Sequence, residues 1–226
     1  MSAGVSRLLT VGVDLASSQR AQELAQGNTN IFHAVGLHPN SAAKFQSEWQ
    51  GLQKLLEDPA CVAIGETGLD YYRDHATPDE QKTSLRAHLK LAVELSMPVI
   101  IHTRDAFVDI FDELAAFPTA QGVLHCFSGG VEEARRALDL DYYLSFAGPL
   151  TYPGNEQLRD AAAFVPKERI LVETDAPFLP PQKWRGQPNE PEYIVATVQQ
   201  LATVRGIAFE EAAELTTTNG RRLFRV

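Results

Sequence analysis

Cysteine is scarce in this chain. Cys61 and Cys126 are the only two in 226 residues, each lies in an apolar run, and they are far apart in sequence. That rules out a disulfide-stapled secreted scaffold, so both thiols are expected to be reduced and buried. Long apolar runs are missing as well: no stretch of about 18 apolar residues occurs, and no membrane span is expected. The start, Met-Ser-Ala-Gly-Val-Ser-Arg, carries neither the charged nor the apolar segment of an export signal. Together these absences point to a cytoplasmic protein. Positive charge is also short, with 20 Lys and Arg against 29 Asp and Glu, a net −9. Proteins that coat nucleic acid neutralise phosphate over a broad face, and this chain lacks the charge to do so. An enzyme gripping one phosphodiester locally, through metal and a few cations, stays open.

What is present is a regular alternation. Apolar runs at 8–13, 31–37, 62–66, 99–102, 123–125, 142–146 and 170–175 read as strands, with helical patterns between them. Thr77-Pro78-Asp79-Glu80 is a capping box with proline at the first helical position. Leu85, Leu89, Ala92 and Leu95 continue that helix on one face and Pro98 stops it. Residues 68–73 read as a loop, and Asn189 as the N-cap of a late helix. Strands alternating with helices imply parallel βαβ units. The expected fold is therefore α/β, a TIM-type (β/α)8 barrel with seven recognisable parallel strands, forming one domain over 1–226.

The strand ends carry the chemistry. Four apolar runs close on Glu66, His102, His125 and Asp175, the rim where such barrels place their active sites. Two carboxylates and two imidazoles suit a hydrolytic divalent metal with an open position. Asp175 also fits a general base taking a proton from the attacking water. Glu173, two residues earlier, should face the same way, so one of the two stands behind the other; Asp175, at the rim, is the choice. His38, before Pro39, is placed to touch a substrate phosphate, or else is a turn residue. Arg104, two residues past His102, suits a phosphate clamp, with an ion pair to Asp105, Glu66 or Asp70 as its alternative. Lys183, Arg185, Tyr71, Tyr72 and Trp184 lie in rim loops where a nucleic-acid backbone or bases could rest, or where they simply pack. His33, His75 and His88 read as structural or surface residues.

Several motifs then carry a family resemblance over essentially the whole chain. They are Gly36-Leu37-His38-Pro39, Gly65-Glu66-Thr67-Gly68-Leu69-Asp70, His102-Thr103-Arg104, His125-Cys126-Phe127-Ser128-Gly129 and Glu173-Thr174-Asp175-Ala176-Pro177. With Asn189-Glu190-Pro191 and the terminal Asn219 to Phe224, they resemble the TatD family of metal-dependent deoxyribonucleases. The resemblance implies hydrolysis of DNA phosphodiesters, at single strands or 3′ ends and in the 3′ to 5′ direction. It also implies one or two divalent ions (Mg, Mn or Zn). By it, Glu66 bridges the metals, His102 and His125 complete one site, and Asp175 serves the other and acts as base. By the resemblance the first βα unit of the barrel is missing, and with it the His-x-His pair that the family's first strand commonly carries. Either the natural protein starts upstream, or a partner, such as a second copy of the chain, covers the open barrel edge.

Two rival functions remain at this stage. One is an amidohydrolase acting on a small ester, lactone or amide, although Glu66 stands where many such enzymes use a carboxylated lysine. The other is an impaired barrel kept as a binding or scaffold protein.

Overall fold

The structure, a computed structural model, describes residues 3–226. It consists of two compact units. The first, Ser6–Val123, holds β1 (Leu8–Val11), α1 (Leu15–Ala25), β2 (Ile31–Val35), α2 (Phe45–Leu55), β3 (Cys61–Asp70), α3 (Pro78–Leu95), β4 (Val99–Arg104), α4 (Phe107–Ala115) and the start of β5 (Gly122–Leu124). The second, from Leu124 onward with residues 3–5, holds α5 (Val131–Asp139), β6 (Tyr143–Phe146), α6 (Glu156–Phe164), β7 (Ile170–Val172), α7 (Ile194–Arg205) and α8 (Phe209–Phe224). The expected α/β alternation and seven parallel strands are both present, and strand order follows chain order.

In the first unit the strands are apolar because helices cover them. Val35, Leu37, Leu52 and Cys61 are buried together, with Leu15, Phe45, Trp49, Leu55, Leu56 and Met97 packed around them. Each large side chain removed from water in this way contributes roughly 1.5–3 kcal/mol. The capping box of α3 forms as expected: the Thr77 hydroxyl accepts from the Glu80 N–H, and the Glu80 carboxylate accepts from the Thr77 N–H. The helix closes at Ser96 in the left-handed region, φ 53°.

One helical side chain reaches across to the loop after β2. His88 is 1% exposed, donates from Nδ1 to the Ser84 carbonyl at 2.7 Å and accepts the Leu37 N–H on Nε2 at 3.2 Å. Burial pushes this imidazole down to about 4, so the ring is neutral and its tautomer is fixed by those two bonds. Leu37 immediately precedes His38, and a buried histidine thus pins the start of that loop. His33 is also buried, 3.6 Å from Asp58, and His75 is exposed.

In the second unit, Val198, Ala202 and Ala212 are buried, with Val172, Ile194, Ile207 and Phe209 packed against them. Asn219 of α8 is buried, and its amide donates to the carbonyls of Lys167 and Ile170 at 2.7 and 2.8 Å. That anchors the entry to β7.

Several expectations about boundaries need correction. Residues 68–70 are strand, not loop, because β3 runs on to Asp70 and pairs with β4 as far as Asp70↔Arg104. Asn189 does not cap a helix; α7 starts at Ile194. Its buried amide instead donates to the carbonyls of Thr174 and Phe178, at 2.6 and 2.7 Å, bracing the loop after β7. Cys61 is buried as expected, whereas Cys126 lies past β5 at φ 42° and is partly exposed; among the described residues neither forms a disulfide.

Candidate metal centre

Glu66 owes its position to an irregularity in β3. The pairing of β3 with β4 shifts register between Ile64 and Thr67, and the Glu66 N–H leaves the ladder to donate to the Gly12 carbonyl at 2.9 Å. Such a bulge re-aims one side chain out of the pleat, and bulges favour sites of function. Two glycines make it feasible. Gly65 and Gly68 have φ of 144° and 148°, values that side-chain-bearing residues rarely adopt. A Cβ on Gly68 would also lie 2.0 Å from the His102 carbonyl oxygen.

Three donor groups meet there. Glu66 Oε1 is 2.8 Å from His102 Nδ1 and 3.5 Å from His38 Nε2, and donor atoms of all three residues lie within 4.8 Å of one another. The carboxylate is 9% exposed, and the two rings meet edge to face at 4.4 Å. A carboxylate and imidazoles at this spacing match the oxygen and nitrogen donors that zinc and related ions take at about 2.0–2.2 Å, so the residues present fit a divalent metal.

The two histidines differ in what they can offer. His38 Nδ1 accepts the Asn40 N–H at 3.0 Å, so the neutral ring carries its proton on Nε2, the nitrogen that faces Glu66. Proximity alone would count His38 as a ligand; its hydrogen bond makes it a donor, suited to an anionic oxygen. His102 has a carboxylate at each nitrogen, with Asp70 Oδ2 3.4 Å from Nε2. A ligating histidine gives a lone pair through one nitrogen and donates its other N–H to a carboxylate or carbonyl. Glu66 lies on the side of the donor cluster, which leaves Asp70 as that outer partner.

Asp70 is itself firmly held. Gln81 of α3, 1% exposed, accepts the Asp70 N–H at 2.8 Å and donates to its carbonyl at 3.0 Å. Burial alone would raise the Asp70 carboxyl, but the His102 contact and the N–H groups of Arg73 and Tyr72 outweigh it and hold it at about 2. Sequence reasoning missed Asp70 because it read residues 68–70 as a loop. The available signal was an acid closing an apolar strand, as at the sites that were chosen. We expect Asp70→Asn to weaken metal binding about 10- to 100-fold while leaving the chain folded. Calorimetric metal titration reads this directly, and affinity within twofold of the wild type would remove Asp70 from its role.

The remaining expected residues divide between the units. Arg104 lies in the first and is exposed; among the described residues it pairs with no carboxylate, and it lies over the Tyr72 ring, 3.7 Å from its centroid. Tyr71 is tied down through its hydroxyl, which donates to Asp109 at 2.7 Å. In the second unit, His125 follows the end of β5 and Asp175 lies three residues beyond β7, so both sit past their strands rather than on them. Asp175 has φ 57°, a left-handed turn that ends the extended run before Pro177. Glu173 accepts from His125 Nδ1 and from the Cys126 N–H, each at 3.0 Å. Glu173 is thus the acid that stands behind, and it leaves the His125 lone pair on Nε2. In the late loop, Trp184 stacks on Tyr193 at 4.1 Å, Lys183 lies 4.7 Å from the Trp184 ring, and Arg185 lies 4.4 Å from that of Tyr152.

Parallel strands that gather a carboxylate and imidazoles at a bulge define a metal-dependent hydrolase on an α/β barrel framework. Within that class the chain belongs to the TatD related DNase family, whose model matches residues 1–225, as the motifs implied. It is 38% identical over 227 residues to the metal-dependent hydrolase YabD of Bacillus subtilis, covering 98% of this chain and 88% of that protein. It is 37% identical over 234 residues to the 3′-5′ ssDNA/RNA exonuclease TatD of Citrobacter koseri, covering 99% and 89%. The crystal structure of YjjV, a TatD homologue of Escherichia coli, superposes with a TM-score of 0.94 at 32% identity, covering 99% of this chain and 88% of that one. Among the described residues no helix is long and apolar enough to cross a membrane.

Proposed function

We propose that this hydrolase is a nuclease that cuts phosphodiester bonds of single-stranded DNA from the 3′ end, with its metal held at Glu66 and His102. The observation that carries the reading is the Glu66–His102–His38 cluster, in which donors for a cation stand beside an N–H donor for an anionic oxygen. The relative named as a 3′-5′ ssDNA/RNA exonuclease supports the choice of substrate.

When bound, a divalent ion supplies Lewis acidity for a phosphoryl oxygen and makes water a better nucleophile near neutral pH. The protein does the rest. Glu66 and His102 hold the cation, Asp70 orients the His102 ring, and the His38 Nε2–H donates to a phosphate oxygen. His125 and Asp175 join the reading through family resemblance, His125 as a further ligand and Asp175 as the group that takes the proton of the attacking water. The Glu173 bond to His125 and the Asn189 brace on the loop of Asp175 support those roles. A cytoplasmic setting belongs to the same reading and is supported by two cysteines that form no disulfide among the described residues.

The test is an assay on single-stranded oligonucleotides labelled at either end, with Mg²⁺, Mn²⁺ or Zn²⁺ and with EDTA. The expected result is EDTA-sensitive cleavage, with the 3′ label released at once as a mononucleotide and the 5′ label giving a descending ladder. Absence of EDTA-sensitive cleavage with every ion would end the proposal.

A further inference from the structure

Beside the metal cluster lies an exposed aromatic ring that the assigned chemistry does not use. Tyr72 is 57% exposed, yet its place is fixed from several directions. Its N–H and that of Arg73 both donate to Asp70 Oδ1, at 3.0 and 3.1 Å. The preceding Tyr71 N–H donates to the Arg104 carbonyl at 2.9 Å. The Arg104 guanidinium lies 3.7 Å from the Tyr72 ring centroid and that of Arg73 lies 5.3 Å from it. An exposed tyrosine with two cations beside it, in a chain of net charge −9, contributes nothing to a core. Its surroundings suit a flat, electron-rich ligand carrying negative charge.

Its distance from the cluster narrows that ligand. Arg104 follows His102 by two residues on β4, so the two side chains leave the same face of the strand, roughly 7 Å apart at about 3.3 Å per residue. Asp70 touches His102 through one carboxylate oxygen and the Tyr72 turn through the other. A phosphate held at Glu66 and His102 therefore has the Tyr72 ring within the reach of its own nucleotide.

Resting on the nuclease reading, we infer that Tyr72, with Arg104 and Arg73, is the stacking subsite for the base of the nucleotide whose phosphodiester is cut. Stacking of this kind tolerates every base, since each has a π-face. It requires an unpaired base, because a base inside a duplex is covered on both faces. The subsite thus selects single strands and frayed ends without reading sequence, and the two guanidinium groups add attraction for the neighbouring phosphates.

The experiment measures binding by fluorescence anisotropy in EDTA, where no cleavage occurs. It uses wild-type protein, Tyr72→Ala and Tyr72→Phe, with two probes: a single-stranded oligothymidylate, and the same length of strand with abasic residues at its 3′ end. Tyr72→Ala is expected to weaken binding of the normal strand about 5- to 100-fold, and Tyr72→Phe to stay near wild type. The abasic strand should bind wild type as weakly as the normal strand binds Tyr72→Ala, and the Ala variant should no longer tell the probes apart. Equal binding of both probes by wild type overturns the inference, as does unchanged binding by Tyr72→Ala. If wild type cleaves DNA with metal but the Ala variant binds and cleaves equally well, only the subsite falls. If wild type neither binds nor cleaves, the nuclease reading falls and the subsite with it.

Discussion

Glu66→Ala is expected to abolish metal-dependent hydrolysis and leave the fold intact. Glu66 contacts both rings of the cluster, 2.8 Å from His102 and 3.5 Å from His38. Losing the ion forfeits several kcal/mol of transition-state charge stabilisation. About 4 kcal/mol of that corresponds to roughly a thousandfold in rate. Stability should move the other way, since the metal-free protein buries the Glu66 carboxylate almost completely, at 9% exposure, and ionised groups are expensive to bury. Metal content by elemental analysis, turnover on a single strand and thermal denaturation in EDTA together check this. Hydrolysis that survives in Glu66→Ala at the wild-type rate would mean that the measured activity comes from elsewhere.

Gly68→Ala should cost more stability than its single methyl suggests. Its Cβ would stand 2.0 Å from the His102 carbonyl oxygen, an atom of the β4 backbone that no rotamer change can move. Residue 68 also sits at φ 148°, where alanine is strained. Together, overpacking and strain give about 3 kcal/mol or more, a large share of the roughly 5–15 kcal/mol that holds a domain folded. For a chain of this size the melting temperature should fall by about 6–12 °C. Because the clash pushes on His102 itself, metal affinity should fall along with stability. Gly186→Ala is the control: its φ is 87° but nothing lies within 4 Å of the added carbon, so it reports backbone strain without the clash. Equal melting temperatures for the two variants would show that the β3–β4 approach is softer than its geometry implies.

The strands were legible in the sequence because most of their residues are buried, leaving continuous apolar runs that end abruptly. The Thr77 capping box was legible because its partners are local. What escaped was set by tertiary contacts. The stretch from Gly68 to Asp70 reads as a loop, yet pairing with β4 keeps it extended, and Gln81 reaches from α3 to hold its end. Asn189 precedes Glu-Pro and reads as a helix cap, but its two donors find the carbonyls of Thr174 and Phe178 instead. Glu66 and His102 were found as metal-type residues at strand ends. That His38 joins them as a hydrogen-bond donor depends on the Asn40 N–H, a contact that only the turn after β2 creates. Arg104 was placed on the correct strand, and its ring partner could not be read from spacing.

The divided carboxylate of Asp70 has a consequence for how the protein responds to its ligands. One oxygen faces the His102 imidazole and the other receives the two N–H groups that set the Tyr72 turn. A cation that orders the imidazole and a strand that orders the turn therefore act on the same rigid group. Linkage makes any such influence mutual: whatever factor the ion adds to the affinity for nucleic acid, nucleic acid adds to the affinity for the ion. At limiting metal concentrations, the chain would then fill its centre preferentially when a strand is already at hand, so that scarce ions are recruited by substrate.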